Sequence, residues 1–208
     1  MAGYAAVKLG YKHLGFLGGM SVPAVTRFGY GYVQGVDEAA KELGITCDVA
    51  LEYVCGGQFY GDADITAYMD TWYGSKGVEV VFACGGGIYT SAAEAAAKVD
   101  GKVIGVDSDQ SGIIGEDITV TSAMKGLAPT VKTALDAIKD GNWESDYAGK
   151  IDNYVQLPME TTQWDDNFTV DDYKDLVKKL YNGEIEVSSD ITAMPETEIT
   201  VNDYGSIK

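Results

Sequence analysis

The chain contains a single histidine. His13 opens an apolar run, away from any candidate nucleophile, which leaves serine- and cysteine-type triads without a base. Cysteine is scarce too: Cys47, Cys55 and Cys84 are odd in number and lack Cys-x-x-Cys spacing, which argues against a disulfide framework and a zinc knuckle. Their apolar contexts predict three buried free thiols. Cations are few, 15 Lys and Arg against 32 Asp and Glu, for a net charge of -17. Such a surface repels phosphate backbones and anionic lipid, so no nucleic-acid partner is expected. No apolar run approaches the roughly 20 residues that a membrane helix needs, and the opening residues lack the pattern of a signal peptide. There is no Walker A loop and no His-Glu-x-x-His. Asp62-Ala-Asp64 begins like a calcium loop, but Ala67 stands where glycine is required and Tyr73 where the bidentate glutamate belongs, so no metal site is expected. The pairs Asp165-Asp166 and Asp171-Asp172 read as a loop and a helix start.

What is present is an ordinary globular composition, 46% apolar and 23% charged over 208 residues, enough for a sizeable core. Short apolar strands alternate with helical segments. Residues 2–11 read as helix and 13–18 as a strand closed by Gly18-Gly19. Residues 23–43 read as an amphipathic helix with Pro23 in its first turn and Gly44 past its end. The unit repeats as strand 49–54, helix 62–73, strand 78–83, helix 91–99 and strand 103–106. This alternation predicts an α/β fold with a doubly wound parallel sheet. One ligand-binding lobe is expected over residues 1–122. Residues 123–208 are expected to hold a crossover helix (128–138) and C-terminal elements that belong to, or contact, an otherwise missing second lobe. Those elements are a strand-like run at 151–157, a last helix at 170–181 started by Thr169, and an extended or partly ordered tail from Glu184.

The stretch Val103-Ile-Gly-Val-Asp-Ser-Asp-Gln110 is a buried-type strand that ends in carboxylates and an amide. The carboxyl end of a parallel strand opens on the ligand crevice, so Asp107, Asp109 and Gln110 are expected to face a bound polar molecule. Gly85-Gly86-Gly87 follows another strand, where backbone can approach a ligand closely. Asp107 follows Gly87 at the offset of a dinucleotide fold's ribose contact, but Thr90 occupies the third glycine position, so a nicotinamide-type enzyme stays open only as an alternative. Phe28, early in its helix, either packs inward or projects across the crevice toward a planar ligand. Lys125, near a strand end, either donates to ligand hydroxyls or is solvated. A small-molecule sensor domain of the same fold is a further alternative.

Gly15-Phe-Leu-Gly-Gly-Met20, Val22-Pro23, Arg27-Phe28, Gly85-Gly86 and the Gly-Val-Asp-Ser-Asp-Gln string resemble the basic membrane protein family, substrate-binding lipoproteins of ABC transporters that include purine nucleoside receptors. Thr121-Ser122-Ala-Met-Lys125 and Asn182-Gly-Glu-Ile-Glu-Val187 look like later motifs of the same family. The resemblance implies a type I periplasmic-binding-protein fold whose lobes close on a nucleoside, with no chemistry and no cofactor. It implies that Phe28 stacks on the base, that Asp107 and Lys125 hold ribose hydroxyls, and that Gly86 lines the cleft. An ABC permease is the implied partner, and an extracytoplasmic, lipid-anchored protein the implied setting. The chain departs from the family pattern at Ser21, where an acidic residue is usual, and at Gly87-Ile-Tyr-Thr90. A lobe preceding Ala2 is expected in family members, and uncovered apolar surface after Ser122 predicts a homodimer or domain swap.

Overall fold

The computed structural model describes residues 1–143 and 155–208. The elements run α1 (Ala2–Lys8), β1 (His13–Gly18), α2 (Pro23–Leu43), β2 (Ala50–Cys55), α3 (Ala63–Thr71), β3 (Val80–Cys84) and α4 (Tyr89–Ala96). They continue as β4 (Lys102–Asp107), α5 (Ser111–Ile114), β5 (Thr119–Lys125), α6 (Leu127–Lys139), β6 (Val155–Gln156), α7 (Val170–Tyr181) and β7 (Thr200–Ser206). The strands make one seven-stranded sheet in the order β6-β5-β4-β3-β1-β2-β7. All neighbours are parallel except β6, which runs antiparallel to β5.

Alternation along the strands fills both faces. In β1, Phe16 enters one core and Leu17 the other; in β3, Val80 and Phe82 face the first, Val81 and Ala83 the second. Residues of α1, α2 and α7 cover the first face, and residues of α3 and α4 the second. This is the doubly wound arrangement that the alternation predicts, and two-sided burial is why the strands read as continuous apolar runs. Pro23 sits in the first turn of α2, and Gly44 ends it in the left-handed region at φ 68°. Gly3 is fixed by packing, since a Cβ there would lie 2.3 Å from the Tyr32 carbonyl oxygen of α2. Thr169 caps α7 in a reciprocal box with Asp172.

One expectation changes and two are sharpened. Cys55 and Cys84 are buried, but Cys47 is exposed, because it lies in a single 3-10 turn between α2 and β2 rather than on a packed element. Of the two forms open to the tail, the extended one holds at its end, where Thr200–Ser206 pairs along β2. Of the strand expected at 151–157, residues 151–154 lie outside the described residues, and Val155–Gln156 pairs with Met124 and Lys125. Strands from both sides of residue 122 therefore share one sheet, whereas α6 contributes no buried residue.

The tail is held by an acid. Glu52, 4% exposed, accepts hydrogen bonds from Lys76 Nζ at 2.9 Å, Tyr204 Oη at 2.5 Å and Asn202 Nδ2 at 3.2 Å, and pairs with His13 Nε2 at 3.0 Å. Burial alone would raise its pKa, but these four partners outweigh burial and hold it at about 2, below the ordinary 4.5. A folded-state pKa below the unfolded one gives stability that is complete above the unfolded value and lost as pH falls through the folded value. Glu52→Gln is therefore expected to lower the melting temperature at neutral pH, with the gap to wild type closing as pH is taken from about 5 toward 2. Thermal scans across that range check it; a gap independent of pH would mean that the charge of Glu52 contributes nothing.

Candidate functional site

With the core order β2-β1-β3-β4-β5, the crossover after β1 (α2) covers one face and the crossover after β3 (α4) the other, and the crevice at such a reversal, between β1 and β3, opens outside the carboxyl ends of the strands. Three glycine-rich turns meet there. The Gly19 N–H donates to the Cys84 carbonyl at 2.8 Å, Gly56 N–H to Gly18 at 2.8 Å and Gly57 N–H to Gly19 at 3.0 Å. A Cβ on Gly85 would lie 2.9 Å from the backbone of Gly19, so the turns after β1 and β3 touch only because neither has a side chain. Gly86 is left-handed at φ 52° and exposed, and its missing Cβ points at the Phe59 carbonyl.

The next two strand ends carry the polar groups. Asp107 closes β4 in register with Met124 of β5, which places it beside Lys125. The Lys125 Nζ lies 2.6 Å from Asp107 Oδ1, with both side chains partly open to solvent. That oxygen is shut off from solvent beneath the ammonium and makes no well-directed hydrogen bond, so the contact is coulombic and a donor reaches this oxygen only when Lys125 moves. Asp107 also has φ 71°, a left-handed backbone that a non-glycine residue holds at a cost. The same Lys125 ammonium sits over the Phe28 ring, 4.9 Å from its centroid. Phe28 is half-buried, tilted against Phe82 of β3 at 6.3 Å. Phe28, Asp107 and Lys125, far apart in sequence, thus form one constellation, with Gly86 on the adjoining turn.

Two expected site residues bond within their own surroundings, Gln110 buried and Asp109 at the surface. The Gln110 side-chain carbonyl folds back to accept the Val106 N–H at 2.9 Å, and the Gln110 backbone N–H donates to Ser122 Oγ at 3.1 Å. It fills the space left by Gly105, whose Cβ would meet it at 2.8 Å. Asp109 accepts from the Ser111 N–H at 3.1 Å and Thr161 Oγ1 at 2.7 Å; partial burial raises its pKa, but these donors prevail and hold it below the usual range. Both hydrogen-bond within or next to the loop that follows β4.

The phosphate-cradle alternative loses its donors. The amide of Gly87 is spent on Phe59, that of Ile88 on Gly85 and that of Thr90 on Gly87, so they do not converge on a pyrophosphate. The Cys84 thiol, near Asp107, is pushed up to about 12, first by burial and then by the carboxylate, which leaves it an unreactive thiol. Of the acids weighed for metal, Asp62 caps α3 and Asp165 closes its own loop through the Asn167 and Phe168 amides.

Sequence reasoning missed Phe59 and Phe82. Phe59 is partly exposed and so close to Gly19 that a Cβ there would meet its ring at 2.5 Å. The Gly56-Gly57 pair ending β2 is the signal that marks it. Phe82 is an ordinary strand position whose only distinction is the ring above it. Beside the crevice, a cavity of about 600 Å³ opens between α1, α2 and α7, with Phe28, Tyr32, Phe82 and Leu176 in its wall.

Comparison with known proteins matches this architecture. Residues 1–190 match the family of PnrA-like ABC transporter substrate-binding proteins. The ABC transporter nucleoside-binding protein BmpA of Lactococcus lactis is 34% identical over 160 residues, 69% of this chain and 44% of that protein. Basic membrane protein B of Borreliella afzelii is 31% identical over 194 residues, 90% of this chain and 53% of that protein. The chain thus spans about half the length of these relatives. Among solved structures, an ABC transporter solute-binding protein from Aeropyrum pernix superposes with a TM-score of 0.63 at 20% identity, over 91% of this chain and 62% of that one. A transcriptional activator of the comK gene from Bacillus halodurans superposes at 0.58 and 17% identity, over 93% and 62%, so the fold by itself serves more than one role. The family match spans most of the sequence, and the chain belongs to the Bmp family of PnrA-like ABC transporter substrate-binding proteins.

Proposed function

We propose that this chain supplies the nucleoside-recognising half of an ABC transporter substrate-binding protein, and that the ligand is a purine nucleoside, bound without chemical change. The observation that carries the reading is the meeting of an aromatic ring, a carboxylate and an ammonium at the carboxyl end of the sheet. A phenyl ring offers a flat face to a base. Asp107 accepts from vicinal ribose hydroxyls and Lys125 donates to them, so one pair serves both lone pairs and protons of a diol. Gly86 leaves room at the edge of the turn. The resemblance of the relatives' names to this chemistry supports the same reading. The further setting, a lipid-anchored protein outside the membrane that hands its ligand to a permease when the lobes open, rests on the family pattern. Among the described residues, no helix is long and apolar enough to cross a membrane.

Calorimetry with adenosine, guanosine, inosine and free ribose tests it. Purine nucleosides are expected to bind more tightly than ribose, and Phe28→Ala to lower nucleoside affinity by about tenfold, since stacking a base on an aromatic ring contributes roughly 1–3 kcal/mol. A preference for ribose over every nucleoside would remove Phe28 from the site.

A further inference from the structure

Lys125 does two things that a single ligand cannot leave undisturbed. It pairs with Asp107 at 2.6 Å, and it places its ammonium 4.9 Å above the centroid of Phe28. A stacked base needs its own ring centre about 4.5–7 Å from that centroid, the volume the ammonium fills. Phe82 packs against the same ring at 6.3 Å and restricts its freedom to offer another surface. The base therefore competes with Lys125 for Phe28.

We infer that Lys125 is a specificity gate: it makes stacking on Phe28 conditional on a vicinal diol, so the site takes nucleosides and rejects free nucleobases. The inference rests on the nucleoside reading above and deepens it. A free base gains a stacking contact and loses a cation–π contact, two terms of similar size, so little net affinity results. It also leaves the Asp107 oxygen and the displaced ammonium with no new partner. A nucleoside supplies both at once. Its hydroxyls donate to the Asp107 carboxylate and accept from the ammonium, which swings off the ring, and off the Oδ1 it covers, to meet them. The ribose opens the face on which the base then lies. Without this exchange a phenyl ring would not separate adenine from adenosine, because every purine has the same kind of face.

The test measures adenosine and adenine binding to the 208-residue chain and to Lys125→Met, which keeps length and apolar bulk but has no charge to hold on the ring. Wild type is expected to bind adenosine and to bind adenine far more weakly. In Lys125→Met, adenine affinity is expected to rise about two- to fivefold while adenosine affinity falls about tenfold, a crossing of opposite sign that general damage to the site cannot produce. Adenine affinity that stays level or falls, in a variant that keeps the wild-type melting temperature, overturns the gate and leaves the nucleoside reading standing. Failure of wild type to bind any nucleoside overturns that reading and the gate with it. Proton NMR gives a second measurement on wild type alone. The ε-methylene of Lys125 is expected upfield of the other lysines through the ring current of Phe28, and to return downfield when adenosine, but not adenine, is added. An unshifted ε-methylene overturns the gate.

Discussion

Asp107→Gly is expected to abolish measurable nucleoside binding, by two orders of magnitude or more, while leaving the melting temperature almost unchanged. The two halves of that expectation have separate physical sources. Binding loses a carboxylate that accepts two charge-assisted hydrogen bonds, each contributing about 1.5–3 kcal/mol, and strands the Lys125 ammonium without a counter-charge. Stability loses a partly exposed ion pair, which contributes roughly 0–1 kcal/mol. Against this, glycine relieves a left-handed backbone, φ 71°, that costs an L-residue about 1–2 kcal/mol. Glycine's greater freedom in the unfolded chain returns about 0.5–1 kcal/mol of that gain. The stability terms nearly cancel and the binding terms do not. Asp107→Asn separates charge from geometry: asparagine tolerates the same backbone and still accepts hydrogen bonds, so affinity should fall only about tenfold. Asp107→Ala keeps the strain and loses the acceptor, so it should be the least stable of the three and bind no better than the glycine variant. Calorimetry and thermal melts on the series decide the matter. Adenosine affinity in Asp107→Gly within threefold of wild type would remove this carboxylate from the site.

Why a residue should be held in strain at this point is legible in the sequence only in part. The strand 103–106 and its acidic exit mark Asp107 because β-branched residues give way to carboxylates where a parallel sheet opens. Lys125 could be placed near a strand end, but its strand runs to residue 125 itself, so the pairing of the two as strand-end neighbours follows from the β4–β5 register. Phe28 is ambiguous because helical spacing puts it on the inward face of α2, and only the Lys125 ammonium above its ring ties it to the strand ends. Gln110 escapes a reading of the sequence because no periodicity encodes a side chain that folds back to satisfy the amide of its own strand. Punctuated elements were read closely: Pro23 and Gly44 bound α2, and the Thr169 and Asp172 box starts α7. The strand Thr200–Ser206 was not, because it is polar and lies at the sheet's edge. What holds it is Glu52, a partner some 150 positions away in sequence.

The chain by itself is expected to self-associate through α6, and a double charge substitution there is expected to make it monomeric. Leu127, Val131, Leu135 and Ile138 are 62%, 58%, 60% and 58% exposed, and their spacing aligns them in one stripe along a helix that buries no residue of its own. A soluble helix with a full apolar stripe is covered by something. In relatives about twice as long, the rest of the protein can supply that cover. For this chain alone, a second copy offers the same stripe. Two antiparallel α6 helices bury a small apolar interface, of the size that gives weak association rather than an obligate dimer. Electrostatics opposes it, because each copy carries a net charge of -17. Salt screens that repulsion and leaves apolar burial in place, so association should strengthen as ionic strength rises, the reverse of an interface held by ion pairs. Sedimentation velocity at micromolar concentration, in low and moderate salt, measures both features. Val131→Glu with Leu135→Glu should sediment as a monomer under every condition while melting within about 1 kcal/mol of wild type, since exposed positions contribute little to the fold. A wild-type chain that is already monomeric at micromolar concentration would show that the stripe is not self-complementary, and would leave the remaining half of its longer relatives as the surface it fits.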